Sequence, residues 1–435
     1  MRTFSSFLIL IFLLFTKAGF SQSNAKLKAL ADTGADKIEN KVIEWRHHIH
    51  ENPELSNREY KTAEYVAEHL RSLGIEVQTG VAHTGVVGVL KGGKPGPVIA
   101  LRADMDALPV KERVDLPWKS TAIGEYNGAE VNVMHACGHD THVAMLMGTA
   151  EILASMKKEL KGTVKFIFQP AEEGAPAGEE GGAKMMVAEG ALKNPDVDVI
   201  FGIHIDSETE VGNINYKPGG AMAAVNSFNM KVKGKQTHGS TPWTGIDPIV
   251  TSALIINGLQ TVVSRQSELT KEPAVVTVGA IHGGVRSNII PEEVEMLGTI
   301  RTLDYGMRAK ILEDIRRTVT LIGESQRAEV EIFIDEGYPI TFNDPDLTEM
   351  MLPSLQAAAG TEMVHLVKAE TGAEDFSFFQ EEVPGLFIFL GGMPAGMDKK
   401  DAAPHHTPDF YVDDSGMKLG MRAFCYLVLD YAEKH

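Results

Sequence analysis

Short, nearly unbroken apolar runs set between stretches of helical period constrain this chain more than any other feature. Gly85 to Leu90, Val98 to Leu101, Val164 to Phe168 and Val199 to Ile203 are such runs, and Val143 to Met156 is a helical stretch between two of them. Ahead of them Ile38, Val42, Trp45 and Ile49 recur at helical spacing until Pro53. Tyr60, Ala63, Val66, Ala67 and Leu70 then repeat the period, with Gly74 as a C-cap. Strands alternating with helices predict an α/β fold, its sheet covered by helices on both faces.

Around Gly219-Gly220 the texture changes. Phe228 to Val232 alternates as a half-buried strand, Pro248 to Val263 is helical, and Val275 to Ile281 and Glu293 to Ile300 read as strands. A helix from Met307 to Leu321 and an alternating run from Val330 to Ile334 complete the series. That order predicts a smaller two-layer α+β domain inserted into the larger one. After Pro339 the larger domain resumes, with Leu386 to Leu390 as a buried strand. The expected division is an export signal over 1–22, a catalytic domain formed by 23–220 together with 339–435, and an inserted lid and dimerisation domain over 221–338. The signal is read from Arg2, the apolar run Phe4 to Phe15 and the small polar exit Lys17 to Gln22. That run is short of the ~20 residues of a membrane span, with an uncleaved anchor as the alternative reading. The mature protein is expected to be exported, periplasmic or secreted, with no stable membrane insertion. A net charge of −18, with no basic block and no zinc-finger spacing, argues against a nucleic-acid partner. Two cysteines are too few for a disulfide scaffold.

Residues with metal-binding donors concentrate just after the buried runs, where α/β sheets place their sites. Asp104 and Asp106 leave the first such strand; by itself this is as good a capped turn. In Met134-His135-Ala136-Cys137-Gly138-His139-Asp140-Thr141-His142 a glycine turn can aim Cys137 and His139 at one point. A thiolate with an imidazole suits zinc, cobalt or manganese, and Asp140 could orient an imidazole. Cys137 could instead be inert, or paired with Cys425. Glu172-Glu173 follows a third strand, where adjacent side chains diverge; such pairs are usually solvated. His204 follows a fourth, and His405-His406 sits between Pro404 and Pro408.

These strings, in this order, resemble the amidohydrolase branch of the dinuclear metallo-aminoacylase and carboxypeptidase superfamily. That branch includes N-acyl-amino-acid amidohydrolases, hippurate hydrolases and plant auxin-conjugate hydrolases. The resemblance begins at about Ile43, with His50-Glu51-Asn52-Pro53-Glu54-Leu55 similar to the opening helix, and runs to the C-terminus. It implies that Cys137 bridges two divalent ions per subunit (Zn, Mn, Co or Ni), with His139, Glu173, His204 and His406 completing their shells. It makes Glu172 the general base and then acid, and Asp106 a carboxylate behind the ligands. His405 is the alternative to His406, which stands two residues before Pro408 as in the family pattern. Gly234 to Pro242 resembles the lid segment, whose His, here His238, reaches the neighbouring active site of a homodimer. Where the family usually has His after that segment's proline, this chain has Trp243, a departure that bears on substrate choice. Asn288 and Arg301, in two further similar segments, would hold the substrate carboxylate; Arg can do so bidentately.

The expected activity is metal-dependent hydrolysis of the amide bond of N-acyl or N-aroyl amino acids. Carboxypeptidase action on short peptides is the near alternative. A Cys137 thiol hydrolase and a non-catalytic binding protein are the competing classes. Chelator sensitivity separates the first from the metalloenzyme, and turnover separates the second.

Overall fold

The computed structural model describes residues 4–435, with side chains described from residue 24 on. The expected export signal, 1–22, lies outside the described side chains. The chain divides into two units: Met1–Gly219, Asn343–Val367 and Phe378–His435 form the larger, and Gly220–Phe342 with Lys368–Ser377 the smaller.

The larger unit is built on an eight-stranded mixed sheet flanked by helices. In spatial order its strands are Glu76–Val81, Gly85–Lys91, Lys161–Gln169, Lys94–Asp104, Val199–Glu210, Gly385–Met393, Ile214–Tyr216 and Val364–Leu366. The central four run parallel, so their carboxyl ends meet at one edge. These are the strands with the most continuous apolar runs, and Gly385–Met393 is buried throughout, as a strand covered on both faces must be. The sequence reading missed the edge strand Glu76–Val81, which is largely exposed and polar. It also missed the hairpin Ile123–Tyr126/Ala129–Asn132. That hairpin turns on Asn127-Gly128, both at positive φ, the signature of a two-residue primed turn.

Helix Phe4–Glu51 presents Leu27, Ala31, Ala35, Ile38, Val42, Trp45 and Ile49 to the core, a stripe three or four residues apart. It ends two residues before Pro53, because a residue preceding proline is pushed out of helical geometry. It packs with His139–Ser155 and Met417–Lys434 into one apolar cluster. The latter two cross at reciprocal glycines. A Cβ on Gly148 would lie 2.4 Å from Met421 Sδ and 2.8 Å from Val42 Cγ2; one on Gly420 would lie 2.1 Å from Met145 Sδ and 2.9 Å from Leu390 Cδ2.

The smaller unit is a four-stranded antiparallel sheet, in the order Ala274–Gly283, Glu293–Thr302, Ala224–Lys233, Glu329–Glu336. Strand Ala224–Lys233 alternates buried and less buried residues, the period of a sheet with one packed face. Helices Pro248–Thr261 and Tyr305–Ser325 supply Ile255, Leu259, Ile311, Ile315 and Val319 to that core, against Phe228, Met230, Val276, Met296 and Ile300. Asp247 and Asp304 cap the two helices by accepting backbone N–H bonds.

Gly148→Val should overpack the glycine crossing and lower stability by about 1–3 kcal/mol. Urea unfolding checks this: an unchanged midpoint would mean that the two helices have slack.

Candidate metal centre

The carboxylates, His139 and His204 of the centre lie at the carboxyl side of parallel strands or the start of a helix, whereas Cys137 stands two residues before helix His139–Ser155 and His406 sits in a turn after strand Gly385–Met393. Lys94–Asp104 ends in Asp104 and leads to Asp106. Lys161–Gln169 leads to Glu172 and Glu173. His204 lies within Val199–Glu210, a strand seven residues longer than its apolar run. The ladder to Lys94–Asp104 stops at Gly202, so His204 lies just beyond the last backbone pairing with that neighbour. Helix His139–Ser155 starts at His139, four residues ahead of its apolar period, because His139, Asp140, Thr141 and His142 are buried although polar. Its N-cap, Gly138, has φ +91°, and a Cβ there would lie 2.3 Å from Ile205 Cγ2. Only glycine fits both the turn and the space.

Cys137 Sγ is the common point. It lies 3.5 Å from His204 Nε2 and 3.3 Å from His406 Nε2, and the latter is 3.0 Å from Glu173 Oε1. Of the five donor groups among the described residues that could hold a metal ion, two contain Cys137: Cys137–His139–His204 and Cys137–Glu173–His406. His139 Nδ1–H donates to the Asp106 carbonyl at 2.9 Å. Its Nε2 is buried without a hydrogen-bond partner, the state of a nitrogen built to meet a cation. Both cysteines are free thiols, so no disulfide withdraws Cys137.

Geometry separates the two C-terminal histidines. His405 Nε2 accepts the Ser207 N–H at 3.2 Å, and its Nδ1–H donates to the Cys137 carbonyl, also at 3.2 Å. His405 Nδ1 also comes within 3.6 Å of Cys137 Sγ, but His406 brings Nε2 closer to that sulfur, at 3.3 Å, and pairs with Glu173 as well, from a backbone at φ +63°. That left-handed conformation costs a non-glycine residue about 1 kcal/mol or more and marks a side chain held in place by its surroundings.

Behind these donors lies a layer that the sequence reading only partly anticipated. The Asp106 carboxylate accepts the N–H groups of Glu172 (3.1 Å) and Glu173 (3.0 Å) and the Ser56 hydroxyl (2.8 Å), and its Oδ1 is 3.3 Å from His139 Nδ1. Asp104 is held between Arg102 and His142, each at 2.5 Å. Burial opposes its charge, but Arg102, His139 and His142 outweigh that and hold it well below the usual carboxylate range. His142 accepts the Ile205 N–H at Nε2, 2.8 Å, and burial lowers it to about 4. It is a neutral strut with both nitrogens engaged. Asp140 orients His50 (2.9 Å) and pairs with Arg46 (3.0 Å), rather than serving an imidazole among the candidate ligands. Ser56 and Arg46 had no signal in local spacing, since their partners are remote in sequence.

Burial, then Glu173, Glu172 and Asp104, push the Cys137 thiol well up. Without a cation it is therefore a thiol, which is unfavourable for a nucleophile. Burial also opposes charge on His139, but Asp104 and Asp106 raise it to about 10.

In the smaller unit, exposed His238 receives the Ser240 N–H at Nδ1, 3.1 Å. Asn288, also exposed, lies beside that segment: its carbonyl accepts the Gly239 N–H at 2.8 Å. Arg301 is half-buried in strand Glu293–Thr302, and Trp243 is 73% exposed.

Overlapping triads of sulfur, nitrogen and oxygen, backed by buried carboxylates, form a candidate metal centre, and similarity to known proteins makes the chain a metal-dependent hydrolase. Residues 100–430 match peptidase family M20/M25/M40, and the chain belongs to that family. It is 44% identical to thermostable carboxypeptidase 2 of Saccharolobus solfataricus over 403 residues, 91% of this chain and 97% of that one. It is 37% identical to N-acetylcysteine deacetylase of Bacillus subtilis over 399 residues, 91% and 98% of the two chains. The crystal structure of Bacillus subtilis YXEP, a dinuclear metal binding peptidase from the M20 family, superposes with a TM-score of 0.76. It is 34% identical and covers 92% of this chain and 100% of that one.

Asp106→Asn leaves one acceptor oxygen where two serve three donors, so a buried donor loses its partner. The expected loss is about 1–3 kcal/mol per donor left unpaired, read from the urea midpoint. An unchanged midpoint would mean that water replaces the carboxylate.

Proposed function

We propose that this chain hydrolyses the amide bond joining an acyl or aroyl group to the amino group of an amino acid, releasing a carboxylic acid and the free amino acid. The observation that carries the reading is the membership of Cys137 Sγ in both donor triads, the arrangement a bridging ligand requires. Cys137, His139 and His204 would hold one divalent ion, and Cys137, Glu173 and His406 the other. The mixed S, N and O set suits Zn, Mn, Co or Ni. When bound, such a pair supplies Lewis acidity that brings water to a pKa of about 7 and stabilises developing negative charge on an amide oxygen.

The chain's own residues do the rest. Glu172 is buried, and its backbone is pinned by Asp106. As water adds to the amide carbon, the Glu172 carboxylate takes one of its protons. As the C–N bond breaks, it returns that proton to the departing nitrogen. Asp106 keeps the His139 ring fixed while leaving Nε2 to its ligand. In the same proposal His238 polarises the carbonyl from the partner subunit of a homodimer. Asn288 and Arg301 hold the substrate carboxylate, and the protein is exported and works outside the cytoplasm. These assignments rest on the family resemblance and on the amino-terminal sequence.

A metallo-carboxypeptidase acting on short peptides is the second reading, favoured by the 44% identity to the Saccharolobus carboxypeptidase. A panel of N-acetyl and N-benzoyl amino acids beside dipeptides with the same C-terminal residue decides between them. The proposal expects at least about tenfold higher kcat/KM on the acyl-amino acids, a difference of about 1.4 kcal/mol. The reverse order gives the carboxypeptidase, and no hydrolysis of either series overturns both. On whichever substrate is cleaved, Glu172→Gln should keep its metal and lose about 10²–10⁴-fold in kcat. A variant within about tenfold of wild type would remove Glu172 from the proton transfers.

In the metal-free protein Cys137 and His139 are raised, and Glu173 raises His406. Cys137 and His139 therefore carry protons at pH 7 that cations must displace, so apparent metal affinity should rise with pH through neutrality. Calorimetry in buffers of different ionisation enthalpy should show more than one proton released per subunit loaded, and fewer for Cys137→Ala. Loading without proton release would exclude a bridging thiolate.

A further inference from the structure

Glu59 is a buried carboxyl that the proposed chemistry does not use. It is the N-cap residue of helix Tyr60–Ser72 and is fully buried. Neither carboxyl oxygen bonds the first turn of its own helix. Oε1 accepts the N–H of Ala171 at 2.9 Å, and Oε2 accepts the Thr84 hydroxyl at 2.6 Å. Ala171 is the residue before Glu172. It is itself buried and sits at φ +52°, in the left-handed region. The next two N–H groups, of Glu172 and Glu173, go to Asp106. Three consecutive backbone donors are thus gripped by two buried carboxyls, one from a strand end and one from a helix cap.

We infer that Glu59 is a positioning residue for the hydrolytic reaction: its grip on Ala171 sets the direction in which Glu172 and Glu173 leave the strand. An alanine at positive φ is disfavoured by about 1–2 kcal/mol and needs an outside partner to stay there. Without the Glu59 bond, Ala171 can return to negative φ. That rotation swings the peptide joining it to Glu172, and so moves both carboxylates that face the donor triads. A shift of about 1 Å at a reacting group can cost about 10²-fold in rate. Hydrogen bonding, rather than negative charge, carries this role. Both partners of Glu59 are neutral donors, and burial followed by the field of Asp106 raises its carboxyl to about 8. Glutamine has the same reach and can still accept from Ala171; aspartate is one methylene too short.

The inference rests on Glu172 and Glu173 acting as proposed, so its test has one arm that needs no turnover. Hydrogen–deuterium exchange of a peptide spanning residues 165–176 should be faster in Glu59→Ala and Glu59→Asp than in wild type, and near wild type in Glu59→Gln. With a cleaved substrate, Ala and Asp should lower kcat about 10–100-fold with KM within about threefold, and Gln should recover most of the loss. If Glu59→Ala does not fold, Glu59→Asp carries the comparison. Wild-type exchange and kcat in both shortened variants would overturn the role. So would a Gln variant as impaired as Ala, which would make charge the cause. If wild type cleaves nothing in the panel, the proposed reaction fails, while the exchange arm still decides whether Glu59 holds the loop.

Discussion

The centre depends on one buried carboxylate. Asp106 accepts from Ser56, Glu172 and Glu173 and lies against the His139 ring, so a single side chain ties together the turn after the first helix, the segments that follow two strands and the start of helix His139–Ser155. A carboxylate with no water around it is tolerable only if its lone pairs are met by donors. Here those donors belong to the backbone that carries the candidate ligands. Its desolvation is therefore converted into geometric precision at the site, in the way outer hydrogen bonds orient the ligands of metal centres.

The fold brings those pieces within reach for a topological reason. Parallel strands end on the same side of a sheet, so chemistry placed after each apolar run converges without long loops. The helix that begins at His139 has to approach that edge closely, and two features permit it. Gly138 makes a turn and a contact closed to other residues. The buried Arg46–Asp140 pair, with His50 on the same carboxylate, fastens the first helical turn to the amino-terminal helix. A buried ion pair of this kind is weak evidence for net stability. Its clearer contribution here is to register, holding the turn between Cys137 and His139.

Electrostatically the site is frustrated in the absence of cations. Asp104, Asp106, Glu172 and Glu173 surround a thiol and several imidazoles, and the outcome is a raised Cys137, a raised His139 and a neutral His142. Such opposed shifts within one cavity are costly as structure and useful as chemistry. The same crowding that makes Cys137 a poor nucleophile makes it a good partner for a cation.

Much of this was legible in the sequence. Apolar runs and helical periods predicted the central strands, the flanking helices and the inserted α+β unit, because periodic burial of apolar side chains is a local signal. The order of the strings around Cys137, Glu172, His204 and His406 carried the family. What escaped was of two kinds. The hairpin on Asn127-Gly128 had a clear turn signal but exposed, polar strands. His406 was already singled out over His405 by its place two residues before Pro408, whereas the roles of Glu59, Ser56 and His142 and the diversion of Asp140 to His50 had no local signal. They depend on pairings across long separations, 94 residues for Arg46–Asp140. The sequence by itself determined which elements form and which donor types they carry, since both are properties of neighbours along the chain. Only the tertiary structure decided which polar group meets which, because a buried donor or acceptor takes whatever partner the packing brings within about 3 Å, and that is set by the whole fold.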